Sequence, residues 1–406
     1  MAGQTDRVIL HCDANNFFAS VESLAQPELK TVPMAVSNSD DRRHGVILAK
    51  NDLAKPFGVK TGESVLEALK KCPDLTLVKP HRAQYGEYSR RLNALYQRYT
   101  DRVEAASIDE SYLDVTDCRA LFGSGEEIAN ALRKSAREEL GLTISVGVSF
   151  NKTFAKLGSD YKKPDATTVL SRENFRQILY PLPAGTMLGV GGSAEAALKR
   201  IGIHTMGDIA AVPRETLVNC LGKFGGAVWD GVMGLDRERV KCVGEYEPPK
   251  SIGNGETFPR DIRGREEIEV ALMALTDSVA QRLRAHGMVA RTVTVQIKNP
   301  SLKVISRQAA LAHPTSATLA LYRAARDLMR KTWNAAAPIR MLTVTLSGLS
   351  DPEDARQLSL FDDADGEARD ERLYHAVDAI RQRYGANALK PAILLTQLFS
   401  EDDPIR

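Results

Sequence analysis

The sequence predicts a mixed α/β chain of several domains, and three observations lead there. Strand-like and helix-like segments over residues 8–149 follow a β-α-β-β-α-β order, the ferredoxin-like arrangement. Two short helical patterns between residues 189 and 211 are punctuated by glycines. Beyond a proline-containing stretch, alternating strands return with two longer helices. A chain of 406 residues has room for about two to four domains, and a hydrophobic content of 43% supplies a core for each.

The first strand, Val8-Ile9-Leu10, runs into His11-Cys12-Asp13, and residues 16–24 then turn helical. Residues 25–80 form a compact segment containing Val46-Ile47-Leu48-Ala49, with turns at Gly58 and Gly62. Helical spacing covers residues 81–99, where tyrosines 85, 88, 96 and 99 are packing residues. A β-hairpin through Glu110 follows, then an amphipathic helix over 126–140 and a strand over 143–149.

The hairpin segment Ser107-Ile108-Asp109-Glu110-Ser111-Tyr112-Leu113-Asp114-Val115 sets two carboxylates at the start of a strand. Asp13 supplies a third, at the end of the first strand. An isolated Asp-Glu pair is ordinarily a solvated turn, and an undisturbed pleat sends neighbours to opposite faces. Acids gathered at strand ends, where sheets present ligands, point instead to a divalent-metal site. Mg²⁺ takes hard oxygens and shares them with substrate phosphates, so such carboxylates and an incoming triphosphate make a two-metal clamp for phosphoryl transfer.

Leu188-Gly189-Val190-Gly191-Gly192-Ser193, a helix to Arg200, Gly202-Ile203-His204-Thr205 and a second helix from about Met206 form a helix-hairpin-helix pattern. Glycines such as Gly189 and Gly191 free backbone N–H groups for a phosphate, which holds DNA without reading its sequence; the spacing also suits a plain α-hairpin. Residues 245–252 read as a linker. After it, residues 291–297 and 341–346 alternate as strands, while 266–284 and 318–332 read as helices. The net charge of +2 hides an uneven distribution: between Asp277 and Asp327 there is no acid, but Arg282, Arg284, Arg291, Lys298, Lys303, Arg307, Arg323 and Arg326 occur. A one-signed segment suits a phosphate backbone, although such runs also serve as solvated faces.

Cys12, Cys72, Cys118, Cys220 and Cys242 show no paired spacing, which argues against a zinc or disulfide framework and for a reducing cytoplasm. No apolar run approaches the ~18 residues that span a bilayer.

Several of these motifs, in this order, resemble one family. They are His11-Cys12-Asp13-Ala14-Asn15-Asn16-Phe17-Phe18-Ala19-Ser20-Val21-Glu22, the Ser-Ile-Asp-Glu segment, and Ser145-Val146-Gly147-Val148-Ser149-Phe150-Asn151-Lys152 followed by Ala155-Lys156 and Lys163-Pro164. The resemblance is to the Y-family translesion DNA polymerases, nearest to their bacterial DNA polymerase IV group, and extends from about Val8 to the region of Phe361. It implies a ferredoxin-like palm (1–24 and 81–170), fingers (25–80), a helix-hairpin-helix thumb (171–241), a linker (242–250), a little finger of one sheet and two helices (251–350) and a tail (351–406).

The activity implied is low-fidelity, DNA-templated extension of a primer 3′-hydroxyl with dNTPs by a monomer, with no segment of the chain left for proofreading. Carried over residue by residue, the resemblance makes Asp13, Asp109 and Glu110 catalytic ligands of two Mg²⁺ ions, with the Ala14 carbonyl as a further ligand. Lys163 and Lys55 would neutralise the triphosphate, and Phe18 would be the aromatic gate that excludes a 2′-hydroxyl. The resemblance places both Phe17 and Phe18 at the substrate; from the residues alone they are two apolar helix positions. Gly189, Gly191, Arg291, Lys298, Lys303 and Arg307 would contact DNA.

One departure concerns the fingers. Where many members carry a tyrosine and an arginine, this chain has Asp52 and Lys55, followed by Pro56. Lysine keeps the charge without the planar fork, and an aspartate beside a triphosphate would repel it, so an altered nucleotide contact is expected. In the tail, Gln357-Leu358-Ser359-Leu360-Phe361 sits between acidic segments and resembles the peptide by which bacterial polymerases bind the ring-shaped sliding clamp; Gln397-Leu398-Phe399 is a poorer match. The competing reading, a catalytically silent DNA- and clamp-binding relative, would be marked by loss of a carboxylate, and all three are present.

Overall fold

The structure, a computed structural model, describes residues 6–38, 45–353 and 364–395. The chain divides into two compact units, Met1–Glu245 and Tyr246–Arg406.

In the first unit, β1 (Ile9–Ala14) is buried along its whole length and leads into α1 (Phe17–Ala25). A small sheet follows, built from β2 (Met34–Ser37), β3 (Ile47–Lys50) and, after α2 (Val65–Lys71), β4 (Thr76–Val78), with β2 in the middle. Asn51 holds it together: its side chain accepts from the Met34 amide and donates to the Leu29 and Val32 carbonyls.

The chain returns through α3 (Arg82–Tyr96), β5 (Val103–Ala105), β6 (Glu110–Asp114), α4 (Arg119–Phe122), α5 (Gly125–Leu140), β7 (Ile144–Ser149), α6 (Lys152–Tyr161) and β8 (Thr167–Leu170). The large sheet has the order β5-β6-β1-β7-β8. Each adjacent pair among the first four is antiparallel, and β8 is parallel to β7. With β8 set aside, this is the β-α-β-β-α-β unit expected from the sequence, its first strand between the last and the third.

Strand alternation divides β1 between two faces. Leu10, Cys12 and Ala14 pack with Leu92, Leu95 and Tyr96 of α3 and Ile128, Leu132 and Ala136 of α5. Ile9, by contrast, packs with Ala155 of α6 on the opposite face. A capping box between Ser124 and Glu127 starts α5. α6 lies almost directly on the strand: a Cβ on Gly147 would overlap the Ala155 carbonyl and the Ser159 amide, and Gly158 approaches Gly147 from the helix side. Only glycine at 147 allows this approach, which brings the side chains of α6 to the end of β1.

Helices α7 (Phe175–Leu179), α8 (Gly192–Arg200), α9 (Met206–Ala211), α10 (Arg214–Leu221) and α11 (Lys223–Val232) complete the unit. They close around Leu198, Met206, Ile209, Leu217 and Val228.

The second unit contains β9 (Ser251–Ile262), α12 (Gly264–Ala285), β10 (Val289–Lys298), β11 (Val304–Thr315), α13 (Thr318–Thr332), β12 (Ile339–Ser350) and α14 (Ala364–Tyr384), with sheet order β11-β10-β12-β9. α12 and α13 cover one face through Leu272, Leu275, Leu321 and Ala325 against Val293, Val295, Leu342 and Val344. Strand β11 was not among the expected strands. It is a largely exposed edge strand containing Pro314, so its apolar alternation is weak. α14 is held to α12 by Arg284–Asp378 (2.6 Å) and Arg381–Asp277 (2.8 Å).

Candidate active site

Asp13 and Glu110 are direct partners in the β1–β6 ladder, so their side chains leave the sheet on the same side. That side is the one covered by α6. Lys156 of α6 reaches both, its Nζ lying 3.0 Å from Asp13 Oδ2 and 2.9 Å from Glu110 Oε1. Lys163, just beyond the helix, places its Nζ 2.6 Å from the same Asp13 oxygen and 2.7 Å from Asp160 Oδ1. Asp160 also meets Lys156 at 3.1 Å. Three acids and two lysines thus alternate in one cluster.

Asp109 sits at the tip of the β5–β6 hairpin. Its carbonyl still accepts from the Ala14 amide at 3.0 Å, continuing the ladder, while its carboxylate accepts from Ser107 Oγ at 2.7 Å. The structure therefore brings Asp13 and Glu110 together and leaves the Asp109 carboxylate turned toward Ser107. Among the described residues, no three His, Cys, Asp or Glu side chains converge as a metal-ligand set. The donor chemistry nevertheless fits Mg²⁺: hard carboxylate oxygens, in excess over the ammonium groups that touch them, with Asp109 one residue away.

Below the pair, His11 is fully buried. A 2.8 Å hydrogen bond links His11 Nδ1 to Ser159 Oγ, which also donates to the Lys156 carbonyl. The Nε2 faces Glu110 Oε2 at 3.7 Å and, among the described residues, has no hydrogen-bond partner. Burial lowers the basicity of this imidazole and favours the neutral form. Burial also raises the Asp13 carboxyl above the usual range, against the pull of Lys163 and Lys156. Glu110 is held well below that range by the His11 ring and Lys156. Lys156 is raised, because the two carboxylates outweigh the cost of its own burial. The pair is thus a poised anionic pocket whose charge is balanced by α6.

Phe17 corrects one expectation. It is 3% exposed and packed in the core between the sheet and α3, so it cannot touch a substrate. Phe18, the next residue along α1, is half-buried at the edge of that core and stacked on Tyr85 with ring centroids 4.2 Å apart and planes 13° from parallel. Tyr85 is itself fixed, since its hydroxyl donates to the fully buried Glu22, which also accepts from the His81 amide (3.0 Å) and ring (2.8 Å). Lys55 is paired with Asp52 at 2.6 Å, and Asp52 also accepts from the Asn16 amide at 3.0 Å. The unusual aspartate thus takes up much of the charge that Lys55 would offer a triphosphate.

At the N-terminus of α8, Gly189 adopts φ +79° and Gly191 is the N-cap residue; with Gly192, Ser193 and Arg200 they line a recess of about 590 Å³. The basic residues of the second unit do not share a face. Lys298 lies outward with Thr292, Thr294 and Gln296, whereas Arg307 pairs with Val295 and so belongs to the helix side of an edge strand. Arg291 stands at a register shift, and Lys303 in the turn after β10. Period-two alternation, invisible in a charge count, separates them. What the outward face does hold is Thr343 and Thr345 opposite Gly255 and Gly253, a polar strip that threonine-rich alternation could have disclosed. Sequence reasoning likewise passed over Asp160 and assigned no role to Lys156. The motif Gln357, Leu358, Leu360 and Phe361 lies outside the described residues, as does Gln397-Leu398-Phe399.

A β-α-β-β-α-β sheet with paired strand-end carboxylates, a glycine-punctuated helical region and a separate four-stranded sheet together define a polymerase of the Y-family type. Residues 12–160 match the impB/mucB/samB family, and residues 249–360 match the C-terminal domain of that family. The chain belongs to this family. A DNA polymerase IV of Acetivibrio thermocellus is 44% identical over 96% of this chain and 98% of its own length. DNA polymerase IV 2 of Bacillus subtilis is 36% identical over 96% of this chain and 95% of its own. Among solved structures, a Y-family DNA polymerase chimera of Dbh and Dpo4 is similar with TM-score 0.74 and 25% identity, over 85% of this chain and 99% of that one.

Proposed function

We infer that this chain is a DNA-templated DNA polymerase of the translesion type. The observation that carries the reading is the Asp13–Glu110 pair on facing strands, with Asp109 at the adjoining hairpin tip, in a chain similar along nearly its whole length to proteins named DNA polymerase IV. A silent relative would lack a reason to keep all three acids. Asp13, Asp109 and Glu110, with the Ala14 carbonyl, would hold two Mg²⁺ ions, which when bound supply charge stabilisation for in-line attack of a primer 3′-hydroxyl on the α-phosphate of a dNTP.

Around that centre, Lys163 and, less fully, Lys55 neutralise triphosphate oxygens, and Phe18 packs against the sugar at C2′. The unit up to residue 245 divides into palm (1–24, 81–170), fingers (25–80) and thumb (171–241), the last holding duplex phosphates at Gly189 and Gly191. The second unit contains the little finger (251–350), whose outward threonine strip and Lys298 would lie against the DNA backbone, and the tail (351–406). No described helix is long and apolar enough to cross a membrane, and the unpaired cysteines suit the cytoplasm, where a monomer would act.

Primer extension on undamaged and lesion-bearing templates, with and without Mg²⁺, tests this reading. Metal-dependent nucleotide addition is expected; DNA binding without addition would leave the accessory role standing. A sliding clamp is the proposed partner of Gln357, Leu358, Leu360 and Phe361. Burying such apolar anchors contributes about 1.5–3 kcal/mol each before ordering costs, enough for a contact of roughly micromolar affinity. Mutating Leu360 and Phe361 to alanine should therefore remove clamp-stimulated extension on primed circular DNA and leave clamp-free extension unchanged. A parallel fall in thermal stability would assign the two residues to the protein body instead.

A further inference from the structure

The cluster beside the carboxylate pair contains more than a metal site requires. Lys156 Nζ lies between Asp13 and Glu110 at 3.0 and 2.9 Å, so a cation already bridges these two acids. One helical turn on, Asp160 presents a second carboxylate to that same ammonium at 3.1 Å, and it also holds Lys163 at 2.7 Å. The two acid sets differ in setting: the side chain of Asp13 is 7% exposed and that of Asp160 is 42% exposed. The buried Nε2 of His11 faces the same pocket, 3.7 Å from Glu110 Oε2.

We propose that Lys156 is the resident counter-ion of Asp13 and Glu110, and that Asp160 receives it when a divalent cation takes its place. The inference rests on the assignment of Asp13 and Glu110 as metal ligands. Two positive charges cannot share the space between these oxygens, because like charges about 3 Å apart repel strongly in a partly buried site. Metal binding and the Lys156 contact are therefore exclusive, and the side chain must turn elsewhere. Asp160 lies within reach of it without any movement of α6. Lys163 is released from Asp13 by the same exchange but remains anchored to Asp160, at the edge of the site where a triphosphate would arrive. Asp160 is thus a positioning residue for both lysines, and metal affinity is set by the competition between an ammonium and a divalent ion for one pair of carboxylates.

The test uses the full chain and the metal alone. Mn²⁺ binding is followed by electron paramagnetic resonance, and thermal unfolding is followed across an MgCl₂ titration, for the wild type and for Lys156→Met, Asp160→Asn, the double variant, Asp13→Asn and Lys162→Met. Removing the competitor in Lys156→Met should lower thermal stability without Mg²⁺, enlarge the stabilisation by Mg²⁺ and tighten Mn²⁺ binding about tenfold, since the carboxylates lose the ammonium that bridges them. Asp160→Asn should weaken Mn²⁺ binding, and this weakening should shrink in the double variant, where there is less ammonium to receive. Lys162→Met, which removes an exposed lysine outside these contacts, reports the effect of net charge alone. Unchanged Mn²⁺ affinity in Lys156→Met, or a tightening no greater than that of Lys162→Met, would overturn the exchange. Mn²⁺ binding that survives Asp13→Asn would instead overturn the ligand assignment on which it rests.

Discussion

Replacing Glu110 or Asp109 with alanine is expected to abolish primer extension while leaving DNA binding largely intact. If these acids hold the proposed pair of metal ions, a lost ligand removes transition-state stabilisation worth several kcal/mol, a rate loss of roughly 10³-fold or more. The structure adds a distinction between the two. Glu110 touches Lys156 and faces His11, so its loss also unbalances the charge of α6, whereas Asp109 touches Ser107 at the hairpin tip. Thermal stability should therefore move more in the Glu110 variant. Single-turnover extension with matched DNA-binding measurements checks both points, and near-normal extension by either variant would remove that residue from the reacting centre.

The second large effect is expected at Phe18. Shortening it to alanine opens space beside the sugar C2′, so ribonucleotide incorporation should rise relative to deoxynucleotide incorporation by about tenfold or more, as a clash worth more than ~1.4 kcal/mol is removed. The readout is the ratio of dCTP to CTP incorporation efficiency. Because the ring is stacked on Tyr85, and Tyr85 is locked by Glu22, the proposed gate is a rigid surface rather than a mobile side chain. An unchanged ratio would return Phe18 to a packing role. Phe17 cannot take its place, being enclosed in the core.

Much of the site could be read from the chain because it depends on local rules. A strand ending in Asp13, a hairpin carrying Asp109-Glu110 and the Lys163-Pro164 segment are short motifs whose residue types report their chemistry wherever the backbone carries them. The β-α-β-β-α-β order was legible for a similar reason, since periods of two and 3.6 residues are set by which side chains must be buried. The helices of the second unit came through the same signal.

Other features depend on which residues the fold brings together across long separations. The union of Asp13 with Glu110 is a matter of register between β1 and β6, and a slip of one residue would have turned one of them to the opposite face. The approach of Lys156 and Asp160 depends on Gly147 and Gly158 letting α6 lie against β7, a contact that no motif announces. Phe17 and Phe18 are equivalent in composition, and only the packing of α1 on the sheet and on Tyr85 sends one inward and leaves the other at the surface. Lys298 and Arg307 belong to one basic run but to different sides of a sheet, because pleat alternation and strand pairing distribute charge in space independently of its density along the chain. Residue chemistry and periodicity are properties of neighbours in sequence; register, close approach and face are properties of neighbours in space, and burial of the core selects them only once the whole fold is assembled.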